Sequence, residues 1–275
     1  IDPIGRTMTV EAGVAVQRIQ EEAEKHGLLY PVDFGARGSA HIGGSAATNA
    51  GGNGVIRYGM TRDSVLGLEA VLADGTVIPA MNRMIKNNAA YDVKQLFIGS
   101  EGTLGVITRL VLRLRESPRS TQSALVACPT FTDVTRFLKH IDGTPGGSLS
   151  AFELMWNGFY RMVTTPPSKG TPPLPQTYDY YVLVESAGGD PTRDQAQFEE
   201  AIAAAIEAGI VVDAVVCSSE AQRDALWALR DDVEGFFRLG MPVAFDVSRP
   251  LAEMEGYVTE VVGRLEREWP AFCRF

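Results

Sequence analysis

Residues 35–59 read GARGSAHIGGSAATNAGGNGVIRYG, and nearly every position is glycine, alanine, serine, threonine or asparagine. Such a composition suits a backbone that lies close to something large and polar, because glycine lacks the Cβ that blocks approach and tolerates φ > 0. Successive exposed N–H groups in such a stretch can form an anion-binding concavity. A flexible surface loop is the equal alternative on composition alone. Against it stand Ile42, Val55, Ile56 and Tyr58, which can anchor the run to a core, and the strongly apolar segment from Val65 to Ile78 that follows.

Working outward, Thr7 to Ala12 alternates as a short strand, and Val14, Val16, Ile19, Ala23 and Leu28 follow the helical period up to a stop at Gly27. Residues 66–78, LGLEAVLADGTVI, predict two strands flanking an Asp74-Gly75 hairpin turn. Residues 99–115, GSEGTLGVITRLVLRLR, predict a tight turn feeding a strand with Val106, Leu110, Leu112 and Leu114. The composition shifts near Pro118, which divides the chain into domains 1–117 and 118–275. The second half alternates strands at 124–127, 150–154, 179–186, 210–216 and 242–247 with helices at 132–140, 156–163, 192–208, 220–237 and 252–269. A proline-rich loop occupies 164–177. Paired β-α-β units of this kind predict an α+β layer sandwich with helices on one face.

The chain has 275 residues, enough for one large or two ordinary domains, and its 45% apolar and 21% charged residues are those of a globular protein. The net charge of -9 carries no Lys/Arg cluster, which argues against a nucleic-acid groove. Cys128, Cys217 and Cys273 are far apart and form no CxxC pair, so neither a zinc knuckle nor a disulfide framework is indicated; a reducing, cytoplasmic location is expected. No apolar run reaches the length of a membrane span and no stretch reads as a signal peptide. His26, His41 and His140 give no metal-ligand spacing. The start without methionine and the close on WPAFCRF read as the cut ends of a longer protein.

Neither the GxGxxG of a dinucleotide fold at a strand-to-helix turn nor the phosphate-loop GxxxxGK[ST] is present. A nucleotide held by the glycine-rich run is therefore held by another architecture. The ordered string PVDFGARGSAHIGGSAATNAGGNGVIRYGMTRDSVLGLEAVLADGTVI, followed by GSEGTLGVIT at 99–108, resembles the FAD-binding domain of the vanillyl-alcohol oxidase / para-cresol methylhydroxylase (PCMH) superfamily. Within it the chain is most similar to the D-2-hydroxyacid dehydrogenase branch, which oxidises D-lactate, D-2-hydroxyglutarate or glycolate. The resemblance runs over essentially the whole chain and is strongest over residues 1–115.

That resemblance implies an α+β fold: the second half of a PCMH-type FAD-binding domain, then a ferredoxin-like α+β substrate (cap) domain. It implies FAD along Gly43-Gly44, with Pro31, Gly35, Ser39 and Ile42 leading in and Thr48, Asn49, Gly52, Tyr58 and Gly59 continuing the wall. Glu101, Gly105, Val106 and Ile107 match the later signature, the last two offering backbone hydrogen bonds. His41 is read as a hydrogen-bonding or exposed histidine and not as a flavin attachment point. SAFELMW (150–156) and LWALRDDVEGF (226–236) resemble the cap domain, where Arg230 matches an arginine that holds the substrate carboxylate; an ordinary helix arginine paired with a neighbour such as Glu234 is the equal alternative. Relatives of the D-2-hydroxyglutarate type place a threonine where this chain has Glu234 and often a lysine where it has Ala244, which argues against 2-hydroxyglutarate specifically.

The resemblance also implies an upstream phosphate-binding loop and a His-Gly-His-x-Gly-Asp-Gly-Asn segment beyond AFCRF. The histidines of that segment bind a divalent metal such as zinc and help deprotonate the substrate hydroxyl, so the metal is expected in the full-length protein only and this stretch alone is expected to be inactive. The implied reaction is hydride transfer from a small D-2-hydroxyacid to flavin N5, with an unidentified electron acceptor and an open expectation of a homodimer. Two readings stay beside it: a non-catalytic flavin- or partner-binding subunit of an oxidase complex, and an FAD oxidoreductase acting on a sugar or phenol.

Overall fold

A computed structural model of the chain describes residues 1–144, 149–232, 237, 240–241, 243 and 245–270. The chain divides into two compact units, Ile1–Arg119 and Ser120–Phe275. Among the described residues no helix is long and apolar enough to cross a membrane.

In the first unit the strands are β1 (Thr7–Glu11), β2 (Leu28–Leu29), β3 (Val65–Val71), β4 (Val77–Ala80), β5 (Val106–Arg113) and β6 (Arg115–Glu116). The helices are α1 (Val16–Glu24), α2 (Ile42–Ala47), α3 (Val55–Tyr58) and α4 (Lys94–Phe97). The main sheet runs β1-β5-β3-β4, antiparallel throughout. Central β5 buries Leu110 and Leu112 in the core on one face and Val111 on the other, which is why its apolar run does not alternate cleanly with polar residues. Val16, Ile19 and Ala23 of α1 lie in the same core, and full burial of a side chain such as Ile19 contributes about 1.5–3 kcal/mol. The helix ends short of Leu28 because Gly27 turns to φ 68°, releasing Leu28 into β2 against β6. The β3–β4 turn falls at Asp74-Gly75, with Gly75 at φ 85° and Asp74 Oδ1 accepting from the Thr76 N–H at 2.9 Å.

In the second unit the order is β7 (Ser120–Cys128), α5 (Phe131–Asp142), β8 (Leu149–Trp156), α6 (Asn157–Thr164), β9 (Tyr180–Gly188), α7 (Pro191–Glu207), β10 (Asp213–Val216), α8 (Glu220–Arg230) and α9 (Leu251–Glu268). The sheet order β10-β7-β9-β8, antiparallel throughout, interleaves the units β7-α5-β8 and β9-α7-β10 into a ferredoxin-like sheet. Thr130, Asp190 and Ser219 cap α5, α7 and α8 through side-chain oxygens that accept from the backbone N–H three residues on.

Three expectations need correction. Helices do not cover one face alone. Ala124, Val126, Val182 and Val184 pack with α5 and α7, while Leu125, Ala127, Tyr181 and Leu183 pack with Tyr160 of α6 and Leu226 of α8. Both faces of β7 and β9 are therefore apolar. The helix expected over 220–237 stops at Arg230, where Asp231 closes it. The strand expected over 242–247 is not found in residues 243 and 245–247, where Val243, Phe245 and Val247 are exposed and pair with no strand among the described residues. Glu234, Ala244, Cys273 and the AFCRF run lie outside the described residues.

Candidate functional site

The glycine-rich run contains two short helices, α2 and α3, in place of a continuous loop. The start of α2 docks on Ala12. The Gly43 N–H donates to the Ala12 carbonyl at 2.9 Å and the Ile42 N–H to the Val14 carbonyl at 2.9 Å. A Cβ at Gly43 would stand 2.6 Å from the Ala12 Cβ, so only glycine allows this contact. Ala12 in turn donates its N–H to the Thr108 carbonyl at 2.9 Å, which brings the start of β5 to the same place.

The end of α2 docks on the later signature. The Gly99 N–H donates to the Ala46 carbonyl at 3.0 Å and the Glu101 N–H to the Ala47 carbonyl at 2.8 Å. Gly99 (φ 83°), Glu101 (φ 52°) and Gly102 (φ 77°) form the tight left-handed turn that this docking needs. Asn49, itself at φ 49°, accepts from the Arg62 N–H at 3.0 Å through Oδ1. The Arg62 guanidinium donates to the Gln95 carbonyl at 3.0 Å and also reaches the Ile98 carbonyl. The two strings separated in sequence thus form one hydrogen-bonded piece. Sequence reading passed over Ala12 and Arg62; no local pattern marks Arg62, whose partners lie 33 and 36 residues further on.

The glycines serve two different ends. A Cβ would stand 2.1 Å from the Asp33 carbonyl oxygen at Gly52, 2.3 Å from the Asp63 carboxylate at Gly59, and 2.8 Å from the Val71 carbonyl oxygen at Gly105. With Gly43, these pack against the chain itself. At Gly35 and Gly44 a Cβ would meet nothing within 4 Å. Gly44 is exposed, and its N–H has no carbonyl partner among the described residues, whereas its carbonyl accepts from Thr48 Oγ1 at 3.0 Å. Ser39, Thr48 and Glu101 are exposed, Asn49 and Tyr58 half-buried, Pro31 and Ile42 buried. His41 is exposed at the start of α2.

Strand β3 pairs with β5 out to Val71↔Val106, but β1 ends at Glu11↔Arg109. The backbone edge of Val106-Ile107 opposite β3 is therefore left uncovered by β1. The Val106 and Leu104 side chains are exposed, and that of Ile107 is buried. Among the described residues, the open Gly44 N–H, an uncovered strand edge and exposed apolar side chains make a chemically mixed surface. This donor set fits a cofactor with both a charged phosphate part and a broad apolar ring system, such as FAD.

In the second unit Arg230 ends α8. Its Nε donates to Glu153 Oε2 at 2.8 Å, Nη2 lies 2.7 Å from the same oxygen, and Nη1 lies 3.6 Å from Asp231 Oδ1. Its described carboxylate partners are thus Glu153 of β8, a residue that sequence spacing did not connect to it, and, at a longer distance, the adjacent Asp231. One turn earlier Trp227 Nε1 donates to Glu185 Oε2 at 3.0 Å, and Ser123 Oγ donates to that oxygen at 3.0 Å. Burial pushes the Cys217 thiol pKa up; the Arg223 charge partly opposes this, and the Glu185 charge adds a smaller push upward. Among the described residues no group of three His, Cys, Asp or Glu is placed to hold a metal.

Residues 1–80 match the FAD binding domain family, and residues 117–275 match the C-terminal domain of FAD linked oxidases. The chain is 38% identical over 263 residues to a mitochondrial D-2-hydroxyglutarate dehydrogenase of Bos taurus, covering 95% of this chain and 48% of the relative. It is 36% identical to a D-2-hydroxyglutarate dehydrogenase of Xanthomonas citri pv. viticola, covering 98% and 56%. It is 36% identical to a putative mitochondrial D-lactate dehydrogenase of Schizosaccharomyces pombe, covering 96% and 50%. The chain thus spans about half the length of the curated relatives it matches. A solved alkyldihydroxyacetonephosphate synthase superposes with a TM-score of 0.73 at 16% identity, over 97% of this chain and 54% of that one, a likeness of fold.

Proposed function

The chain belongs to the FAD-linked oxidases, and from that premise we propose that the whole protein is an FAD-dependent dehydrogenase of D-2-hydroxyacids. The observation that carries the reading is the joined wall: Gly44, with its open N–H, lies on the helix to which Gly99 and Glu101 are hydrogen-bonded. Gly35, Ser39, Gly44, Thr48 and the Val106-Ile107 edge would hold FAD. Pro31, Ile42, Gly43, Asn49, Gly52, Tyr58, Gly59, Glu101 and Gly105 shape that surface. When bound, FAD supplies a two-electron acceptor, chemistry that no amino-acid side chain offers.

Arg230 would orient the substrate carboxylate, since a planar guanidinium matches a planar carboxylate through two parallel N–H groups. The relatives named D-2-hydroxyglutarate dehydrogenase and D-lactate dehydrogenase support the hydroxyacid class and leave its second substituent open. A divalent metal and the group that takes the hydroxyl proton are assigned to the rest of the whole protein. A homodimer and an electron acceptor of unstated identity remain part of the proposal. The cysteine usage behind the cytoplasmic expectation fits equally well the mitochondrial address in several relatives' names.

A substrate panel on the whole flavoprotein, followed by loss of the visible flavin absorbance without oxygen, tests the reading. Bleaching by at least one D-2-hydroxyacid and not by its L-enantiomer is expected. Bleaching by a sugar or phenol alone would sink it.

A further inference from the structure

Glu153 is a charged group, largely withdrawn from solvent, that takes no part in holding FAD. Its side chain is 21% exposed and that of Arg230 30%, so their contact is more sheltered than an ordinary surface pair. Strand alternation places Glu153 on the sheet face of Met155, two residues on, which is the face that packs with Leu226 and Trp227 of α8. From there one carboxylate oxygen accepts from Nε at 2.8 Å and contacts Nη2 at 2.7 Å. Those two nitrogens form one edge of the guanidinium plane, so a single partner fixes both its rotation and its tilt.

The helix below is held the same way. Trp227 and Arg230, three residues apart, share a face of α8, and Trp227 is bound to Glu185 of β9, the strand paired with β8. Two glutamates on adjacent strands therefore hold two neighbouring side chains of one helix. Of the five N–H groups of Arg230, the Glu153 contact engages those on Nε and Nη2. Among the described residues, Nη1 has no contact of hydrogen-bond length; it forms a looser ion pair with Asp231 Oδ1 at 3.6 Å.

We propose that Glu153 is a positioning residue that clamps the Nε–Nη2 edge of Arg230 so that the Nη1–Nη2 edge is presented to the substrate carboxylate. The proposal rests on Arg230 being the carboxylate ligand. Clamping one edge removes the rotamer freedom that a long arginine otherwise loses on binding.

The test uses the whole flavoprotein and two substrates: the D-2-hydroxyacid that it oxidises fastest, and the uncharged 2-hydroxyamide of the same skeleton. The readout is the ratio of their kcat/KM values. Arg230→Ala should lower the acid preference at least tenfold, chiefly through KM. Glu153→Gln should lower it by a comparable factor while leaving the amide rate unchanged, and the double variant should lose no more than Arg230→Ala alone. Glu153→Asp keeps the charge but draws it back by one methylene; it should lower the preference too, and serves if the glutamine variant does not fold. An unchanged acid preference in the Glu153 variants, with Arg230→Ala impaired, overturns the proposal and leaves Arg230 in its role. Equal loss for acid and amide also overturns it, showing only a structural role. No effect of Arg230→Ala overturns the reading of Arg230 and the proposal with it.

Discussion

The Glu101 N–H donates to the Ala47 carbonyl across 2.8 Å, tying the end of α2 to a turn that comes more than fifty residues later. Glu101 reaches this position only by adopting φ 52°, a conformation that costs a non-glycine residue of order 1 kcal/mol. With Gly99 bound to Ala46, the contact joins two separate strings of small residues into one hydrogen-bonded surface.

That surface depends on a close approach at its other end. Gly43→Ala would drive a methyl group to 2.6 Å from the Ala12 Cβ and 3.1 Å from its carbonyl oxygen. Overpacking against backbone costs about 1–3 kcal/mol. A lowered midpoint in denaturant unfolding of the whole protein, with the m-value unchanged, is expected.

Arg62 is the other clasp. Its guanidinium binds the Gln95 and Ile98 carbonyls, groups that water would otherwise have to satisfy. Arg62→Ala should destabilise by about 1.5–3 kcal/mol, the range for hydrogen bonds from a charged donor. Arg62→Lys should recover only part, because an ammonium cannot span the same carbonyls as a planar fork. Hydrogen exchange should show the Gly99 and Glu101 amides losing protection in the alanine variant.

The hairpin at Asp74-Gly75, the apolar strand after Gly105 and the βα alternation of the second half were legible in the sequence because each rests on local periodicity or turn chemistry. The division of labour among the glycines was not. Composition shows that Gly43 and Gly44 both lack a Cβ, but only the fold shows that Ala12 fills the space beside one and no described residue beyond the helix itself fills the space beside the other. The partner of Arg230 was equally hidden, since Glu153 lies 77 residues away on a strand. The strand expected over 242–247 is not found at 243 and 245–247 for the opposite reason: β-branched and aromatic residues there have local propensity, and no strand among the described residues pairs with them.

Burial, and secondarily the Asp133 carboxylate, push the Cys128 thiol from 9.0 up to about 12. In the unfolded chain that thiol ionises near 9, so the unfolded state loses its proton first and stability falls as pH rises from about 9 towards 12. The contribution is fully present below about 9. Cys128→Ala should flatten this alkaline loss in unfolding curves. In thiol labelling of the native protein, half-buried Cys217 should react while Cys128 stays protected.

Gly44→Leu probes the open side of α2 as the FAD surface. A Cβ there meets no described atom within 4 Å beyond its chain neighbours and its own helix backbone, so a larger side chain extends into the ligand's space. The measurement is the FAD dissociation constant of the whole protein, read by titrating the apoprotein with FAD, beside the unfolding midpoint of the same apoprotein. At least tenfold weaker FAD binding is expected, with the apoprotein midpoint not lowered. Wild-type affinity in Gly44→Leu would contradict it.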